Sequence, residues 1–298
     1  MSQHIVIGTR GSQLALWQAN SLKDKLSKRG VECTLNIIKT KGDQIQDLSF
    51  DKLEGKGFFT KEIEEALLKG EVDIAVHSLK DLPTDQPQGL VLAGLSERED
   101  PSDLLIINNE AFNENHPLRL HEKAKVGTSS IRRKKQILDL MSNLEVLDLR
   151  GNVPTRIDKL RQGHYDAIIL ASAGVNRLEI DLSEFKTKRL NPKEFVPAPG
   201  QGVVAYQTRV EDKTTRKILA AIHDKKTAMG TNIERKILRL MDGGCQVPLG
   251  AHCKVDDQGY FHVHAAYAKD NEKDLLRVQI SQSSSINLAE KVVDKLLA

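Results

Sequence analysis

The alternation of short apolar runs with longer segments of helical periodicity constrains the fold of this chain more than any other feature. Ile5-Val6-Ile7 reads as a buried strand, and the polar turn after it leads into a helix over 14–28. Ser12 is a suitable N-cap for that helix, and Gly30 is a suitable residue just past its end. The same order of strand, helix and strand recurs at 35–38, 60–69 and 74–76. Strands and helices that alternate in this way predict a parallel or mixed sheet covered by helices.

A second region repeats this pattern and contains two short echoes of the first. The segment 126–130 is similar to 7–12, and the segment 163–169 is similar to 70–76. Coincidence also explains echoes of this length, because glycine after a helix and aspartate before a strand are common in α/β proteins. Two similar α/β lobes would present their strand-end loops where doubly wound sheets bind ligands.

Polar or Pro/Gly-rich segments at 96–103 and 191–202 mark the connections between the lobes. A strand-like run at 203–207 predicts that the chain returns to the first lobe after the second connection. A third unit follows, with a helix at 231–240, strands at 249–255, 260–267 and 276–280, and a final helix from 287. The predicted domains are 1–99 plus 200–218, 100–199, and a small α+β domain at 219–298.

Composition narrows the class of protein. A chain of 298 residues is longer than one hydrophobic core usually supports, which predicts more than one domain. A content of 39% hydrophobic and 29% charged residues indicates a globular protein. The net charge of +3 gives no global field that favours nucleic acid or a membrane surface. Three cysteines without CxxC spacing fit a reducing compartment, and the N-terminus lacks the features of a signal peptide. We therefore expect a cytoplasmic protein.

Arginines beside polar turns predict local anion sites. Thr128, Ser129 and Ser130 stand at a helix start, and Arg132 and Arg133 lie in its first turn. Free N–H groups, hydroxyls and guanidinium groups at one helix terminus suit an anion. The alternative is that these are surface arginines on a tolerant helix, because an arginine opposed to the helix dipole costs only about 0.3–1 kcal/mol.

Arg150 and Arg156 repeat this arrangement in the segment 150–156. A strand ends there, and Pro154 suits the first turn of the helix that follows. The repetition strengthens the prediction of anion sites over that of surface arginines. Arg10 and Arg177 also stand beside polar or glycine-containing turns.

Two further segments present reactive groups on loops. Lys80 and Asp81 follow the strand at 74–76, and a strand-end loop is where catalytic side chains collect. A solvated ion pair is the alternative for these neighbours. Cys245 lies in Gly243-Gly244-Cys245-Gln246-Val247-Pro248, a glycine-flanked loop that presents its thiol, although an incidental cysteine in an αβ connection is also consistent with the pattern.

An ordered set of motifs covers nearly the whole chain and resembles the hydroxymethylbilane synthases, also called porphobilinogen deaminases. It includes His77-Ser78-Leu79-Lys80-Asp81-Leu82-Pro83 and the cysteine loop. The remaining segments are 9–19, 41–43, 55–59, 126–133, 149–152 and 199–202. The sequence departs from the usual pattern at Ile131, where leucine is frequent, and at Glu54, where glycine is frequent.

The resemblance implies two α/β lobes of the type II periplasmic-binding kind and a C-terminal α+β domain. It also implies a reaction in which four porphobilinogen molecules are deaminated and joined head to tail into the linear tetrapyrrole hydroxymethylbilane, with release of ammonia. The chain would grow on a dipyrromethane cofactor that is attached through a thioether to Cys245. The implied protein is a monomer that binds neither nucleic acid nor membrane.

The resemblance also implies roles for individual residues. Asp81 would contact pyrrole N–H groups and stabilise the cation formed when ammonia leaves, and Lys56 and Phe59 would belong to a loop over the site. The residues implied to hold the cofactor are Cys245, Lys80, Asp81, Thr128, Ser129, Ser130, Arg132 and Arg133. Those implied to bind substrate or the growing chain are Arg10, Ser12, Arg150, Arg156 and Arg177.

Two other classes of protein share some of these features. A two-lobed protein that binds an anion or a small ligand without catalysis explains the helix starts, but neither Cys245 nor Asp81. A metal enzyme would use Cys245, His252, Cys253, His262 and His264, although their spacing fits no familiar zinc pattern. The sequence favours an enzyme with no metal.

Overall fold

A computed structural model describes residues 4–40, 60–241, 247–269 and 275–298. The strands are β1 His4–Thr9, β2 Glu32–Ile37, β3 Ile74–Ser78, β4 Leu90–Leu95, β5 Asp103–Ile107, β6 Lys125–Gly127, β7 Glu145–Leu147, β8 Ala167–Ala171, β9 Lys186–Leu190, β10 Val204–Arg209, β11 Leu249–Val255, β12 Phe261–Ala268 and β13 Leu275–Gln282. The helices are α1 Gln13–Ser27, α2 Lys61–Leu68, α3 Ile131–Leu140, α4 Val153–Arg161, α5 Ser172–Arg177, α6 Lys213–Ala220, α7 Lys225–Leu240 and α8 Leu288–Leu297.

These elements form two compact units. The first unit comprises 1–99 and 203–229, and the second comprises 100–202 and 230–298. The described strands form one five-stranded sheet in the first unit, and a five-stranded and a three-stranded sheet in the second. The predicted fold class of two α/β lobes with a small C-terminal α+β domain is confirmed, whereas the three predicted domain boundaries stay a prediction.

The sheet of the first unit has the strand order β2-β1-β3-β10-β4. Strand β1 is parallel to β2 and β3, while β10 is antiparallel to both β3 and β4. The predicted return of the chain to the first lobe is therefore confirmed by β10.

Helix α1 shows why this unit folds as the sequence indicates. The Ser12 side chain accepts a hydrogen bond from the N–H of Ala15 at 3.3 Å, so it caps the helix as predicted. Gly30 has a φ of +75°, which is the left-handed conformation that glycine adopts without strain. Between these ends the helix buries Ala19, Leu22 and Leu26 against the sheet.

The five-stranded sheet of the second unit has the order β7-β6-β8-β5-β9. Strand β6 is parallel to β7 and β8, and β5 is antiparallel to β8 and β9. Helix α3 begins after Ser130 and α4 begins after Asn152, and both residues are N-caps that accept a backbone N–H. The predicted helix starts after β6 and β7 are confirmed.

The three-stranded sheet packs against α7 and α8 around an apolar core that includes Ile233, Val263 and Val292. Helix α7 begins at Lys225, six residues before the predicted start at 231, because the Asp224 carboxylate accepts the N–H of Thr227 at 2.6 Å. Gly230 lies inside this helix at a close approach to β11: a Cβ there would lie 2.6 Å from the carbonyl oxygen of Cys253. No helix within the described ranges is long and apolar enough to cross a membrane.

Candidate functional site

The loop after β3 holds Lys80 and Asp81 in a defined backbone conformation. Residues 79–81 form a single 3₁₀ turn, and the N–H of Leu79 donates to the carbonyl of Val203 at 2.9 Å. The Leu79 side chain is fully buried, and Leu82 packs into the same apolar cluster. Since Leu79 and Leu82 fix both ends of the turn, Lys80 and Asp81 between them are held half-buried.

Arg10 and Ser12 lie at the same edge of this sheet. Both follow β1, and β1 is parallel to β3, so their loop and the turn at 79–81 leave the sheet at its carboxyl edge. Arg10 is half-buried, and its charge acts on His77 at the end of β3. The structure therefore places at one edge of this sheet the four residues of the first unit that the sequence assigned to the site: Arg10, Ser12, Lys80 and Asp81.

His77 lies beneath this turn in a buried polar network that the sequence analysis did not assign. Its Nε2 lies 3.3 Å from the Gln207 side-chain oxygen, and the Gln207 amide nitrogen donates to Glu64 at 3.0 Å and to Gln86 at 2.9 Å. Because the Gln207 oxygen must accept, His77 carries its proton on Nε2. The motif that begins at His77 was the only signal in the sequence for this contact.

Burial sets the protonation state of His77. Burial lowers the pKa of His77 to about 4, the hydrogen bond with Gln207 raises it, and the charge of Arg10 lowers it. His77 is therefore neutral at pH 7 and donates one fixed hydrogen bond below the turn that carries Asp81.

In the second unit, three parallel strands deliver polar residues to one edge of the sheet. Thr128, Ser129 and Ser130 follow β6, Arg150 follows β7, and the helix that ends at Arg177 follows β8. Strand β6 pairs with both β7 and β8 in parallel, so their carboxyl ends share this edge.

The three hydroxyl groups at this edge form local hydrogen bonds. Ser130 Oγ accepts the N–H of Arg133 at 3.4 Å, and Thr128 Oγ1 accepts the N–H of Ser130 at 3.2 Å. Ser129 Oγ donates to the carbonyl of Leu149 and accepts its N–H, both at 3.0 Å. The hydroxyl proton of Ser129 is thus used within the protein, whereas the contacts of Thr128 and Ser130 use only an acceptor position.

Arg132 and Arg133 are buried and share one carboxylate. Arg133 Nε and Nη2 donate to Asp103 Oδ1 at 3.1 and 2.8 Å, and its Nη1 donates to the carbonyl of Ile169 at 3.0 Å. Arg132 Nη1 lies 2.8 Å from Asp103 Oδ2 and donates to the carbonyl of Val196 at 2.8 Å. With exposed fractions of 5% and 6%, these are not surface arginines, so that alternative is wrong.

The two arginines keep Asp103 ionised. Burial alone raises the pKa of Asp103, but the charges of Arg132 and Arg133 and hydrogen bonds from Arg132 and Gln201 outweigh it. The pKa of Asp103 therefore lies well below its usual range. Burial and the neighbouring Arg133 lower the pKa of Arg132, and Asp103 raises it.

Two further arginines that the sequence assigned to the site in the second unit are hydrogen-bonded to backbone carbonyls. Arg156 Nε donates to the carbonyl of Gly151 at 2.7 Å, and the buried Arg177 donates from Nη2 to the carbonyl of Gly202 at 2.7 Å. Gly151 has a φ of +112°, and its carbonyl precedes α4. Arg150 and Arg156 are half-buried at this turn.

Cys245, Lys56 and Phe59 lie outside the described residues. The structure does describe both sides of the cysteine segment, which are joined by the buried carboxylate of Glu234 on α7. Glu234 accepts the N–H of Cys253 on β11 at 2.8 Å and the N–H of Gly200 at 2.7 Å. The helix before the cysteine segment is thus connected to the strand after it.

The alternative metal site is not assembled in the described part of the chain. There, no group of three or more His, Cys, Asp or Glu side chains is placed to hold a metal ion. His262 instead lies 3.0 Å from Asp256 and 2.8 Å from Ser281. The pKa of His264 is lowered to about 4, first by burial and then by the charges of His252, Lys193 and His262.

Comparison with known proteins decides the family. Residues 5–217 match the family model of the porphobilinogen deaminase dipyrromethane cofactor binding domain, and residues 229–298 match that of the porphobilinogen deaminase C-terminal domain. The chain belongs to the porphobilinogen deaminase family.

Two curated members of the family match over most of their length. The porphobilinogen deaminase of Sulfurimonas denitrificans is 46% identical over 91% of this chain and 86% of its own. The porphobilinogen deaminase of Chloroherpeton thalassium is 41% identical over 97% of this chain and 91% of its own. A solved periplasmic binding protein of Salmonella typhimurium, described for its high arginine specificity, aligns with a TM-score of 0.42 at 14% identity, over 76% of this chain and 94% of its own.

Proposed function

We propose that this chain is a hydroxymethylbilane synthase, which deaminates four porphobilinogen molecules and joins them head to tail into hydroxymethylbilane with release of ammonia. Family membership supports the reaction class. The observation that carries the proposal is the turn at 79–81, which holds Asp81 half-buried at a sheet edge shared with Arg10.

The residues of the second unit fit a dipyrromethane cofactor. Its acetate and propionate groups are carboxylates, which arginine binds in a bidentate manner. Arg132 and Arg133 together carry two positive charges against the one negative charge of Asp103, so this buried site holds a surplus positive charge. An added carboxylate would neutralise that surplus, and therefore the site suits the group.

Several residues would hold the cofactor, which supplies the primer on which the tetrapyrrole grows. Arg132 and Arg133 would pair with its carboxylates, and Thr128 and Ser130 would donate their hydroxyl protons. Lys80 is a further proposed cofactor-binding residue, and Cys245 is the proposed thioether anchor. Ser129 donates its hydroxyl proton to the carbonyl of Leu149, so in this arrangement it supports the turn instead of donating to a carboxylate.

Asp81 is the proposed catalytic residue. Loss of ammonia from porphobilinogen leaves a cation on the substrate, and a fixed carboxylate stabilises it without the reorganisation that water requires. The buried side chains of Leu79 and Leu82 hold the Asp81 backbone in place, which is the preorganisation that this role needs.

The substrate's own carboxylates would be bound by the remaining arginines. Arg10, with Ser12 beside it, lies at the edge that carries Asp81, while Arg150, Arg156 and Arg177 lie in the second unit. We place Lys56 and Phe59 on a loop over the site. Three domains with the boundaries 1–99 plus 200–218, 100–199 and 219–298 are part of the same proposal.

We further propose that the enzyme is a cytoplasmic monomer that binds neither nucleic acid nor membrane. Within the described part of the chain, Cys33 and Cys253 are buried and form no disulfide bond, which fits a reducing compartment. Sedimentation velocity of the purified chain tests the monomeric state, since a stable dimer would have about twice the mass of one chain.

Intact mass spectrometry tests the function directly. Purified protein should exceed its sequence mass by two pyrrole units, and brief exposure to porphobilinogen should add a ladder of further units. Hydroxymethylbilane should appear in the medium as the ladder turns over. A protein that keeps its sequence mass throughout, and yet binds porphobilinogen, would be the non-catalytic binding protein instead.

A further inference from the structure

Asp103 occupies a position that none of the assigned roles explains. It is the first residue of β5, its side chain is completely buried, and it is the carboxylate to which Arg132 and Arg133 both bind. Gln201 reaches it from a third direction, because its amide nitrogen donates to Asp103 Oδ1 at 2.9 Å and to the carbonyl of Pro101 at 2.7 Å.

Stability of the fold alone is a weak explanation for this buried cluster of charges. Removing two arginines and a carboxylate from water carries a desolvation cost that their attraction does not reliably repay, and apolar residues often replace such clusters without loss of stability. A need to hold the guanidinium groups at fixed positions is therefore a better explanation for this arrangement than stability alone.

The contacts of Arg132 show which of its guanidinium N–H groups are used within the protein. Among the described residues, both of its polar contacts use Nη1, and its Cζ lies over the ring of Phe195, 6.0 Å from the ring centre. The Nε and Nη2 side of the guanidinium therefore keeps its N–H groups for another acceptor. Arg133, by contrast, uses Nε, Nη1 and Nη2 within the protein.

We propose that Asp103 is a positioning residue for cofactor assembly: it fixes Arg132 and Arg133 side by side, so that they receive a cofactor carboxylate in a prepared geometry. The proposal rests on the proposed function. Asp103 neutralises only one of the two positive charges, which leaves the other to attract the incoming carboxylate. A flexible pair of arginines would have to be ordered by the cofactor itself, and that ordering would weaken binding.

The test compares Asp103→Asn with the parent chain as full-length apo-protein, produced without a porphobilinogen supply and then incubated with porphobilinogen. The rate at which the mass of two pyrrole units appears is measured, well below the Tm of every variant. Replacing the carboxylate removes the ion pairs with both arginines and weakens the hydrogen bonds that Asp103 accepts from Arg133, so we expect assembly to slow by about ten- to a hundredfold.

Asp100→Asn is the matched control. Asp100 lies three residues before Asp103 and pairs with Arg189 at 2.6 and 2.8 Å, but Arg189 is 60% exposed and has no proposed role in the site. Asp100→Asn should assemble the cofactor at the parental rate. Asp103→Glu keeps the charge and should assemble faster than Asp103→Asn, even where its longer side chain lowers the Tm further.

The outcomes separate the two proposals. A parent chain that never gains the two pyrrole units contradicts the proposed function. A parent that gains them and a folded Asp103→Asn that gains them equally fast contradicts the role of Asp103 alone. Slow assembly that follows the Tm across both Asp103 variants, regardless of charge, would mean that the residue is merely structural.

Should Asp103→Asn fail to fold, hydrogen exchange in the parent chain still decides the question. The Nε–H of Arg133, identified by its loss in Arg133→Lys, should be protected from exchange in both apo-protein and holo-protein. Arg189 provides the exposed reference. If Arg133 exchanges as fast as Arg189 before the cofactor is present, Asp103 does not prepare the site and the proposal is wrong.

Discussion

The buried His77 makes a prediction about acid stability at the catalytic turn. His77 lies two residues before the turn that carries Asp81, and burial lowers its pKa to about 4, against 6.5 in a solvated histidine. Below pH 6.5 the unfolded chain therefore protonates His77, whereas the folded protein disfavours the protonated imidazole. The stability contributed by neutral His77 is complete above pH 6.5 and is lost as the pH falls towards 4.

The size of the effect follows from these two values. Between pH 6.5 and about 4 the unfolded chain binds one more proton at this site than the folded protein, so each pH unit removes about 1.4 kcal/mol. The free energy of unfolding should thus fall by about 3 kcal/mol from this group by pH 4. That is a substantial part of the total stability of a typical protein.

Urea unfolding of the parent and of His77→Gln at several values between pH 7 and pH 4 measures this contribution. The variant keeps a donor for Gln207 but does not titrate, so its free energy of unfolding should depend less on pH by the stated amount. Parallel curves for the parent and His77→Gln would refute the assignment of a buried, neutral His77.

The other predictions concern the site itself. Asp81→Asn, once shown by mass to carry its cofactor, should lose kcat by on the order of a hundredfold, because its charge acts only while the cation exists; a holo-variant with parental kcat contradicts this. Cys245→Ser should fold but lack the adduct mass, whereas Cys253→Ser should keep both adduct and activity, and an adduct on Cys245→Ser would mean a different anchor. Arg132→Leu should accumulate as apo-protein, while Arg177→Leu should assemble the cofactor but stall during elongation; equal holo fractions and unchanged kinetics in both would oppose the carboxylate-binding account.

Local features of the fold were predictable because they depend on neighbouring residues. Ser12 and Gly30 bound α1 as predicted, and β11 has the predicted limits of 249 and 255. Helix α7 begins at 225 and not at the predicted 231, because Asp224 caps it there and Gly230 lies inside the helix. That glycine serves close packing against β11, a contact that becomes evident only in the folded chain.

The candidate site was predictable as a set of residue types but not as a set of contacts. Asp81 and Arg10 were found from their position after strands, and parallel pairing places them at one edge. The partner of the paired arginines, Asp103, is about thirty residues away in sequence, on a strand whose antiparallel direction no local pattern reveals. Gln207 lies 130 residues from His77 in sequence, so no local pattern reveals their contact either.

The segment around Gly200 shows why these distant contacts matter for function. The Gln201 side chain bonds to Asp103, which holds the paired arginines, and the Gly200 N–H bonds to Glu234, which also accepts the N–H of Cys253. One short segment therefore joins the arginines proposed to bind the cofactor's carboxylates to the elements that flank the cysteine proposed to anchor it. Since Asp103 and Glu234 are both fully buried, neither connection competes with water. A covalent group held at two places requires those places to be linked, and this hydrogen-bonded chain within the second unit links the arginines to the elements on either side of the proposed anchor.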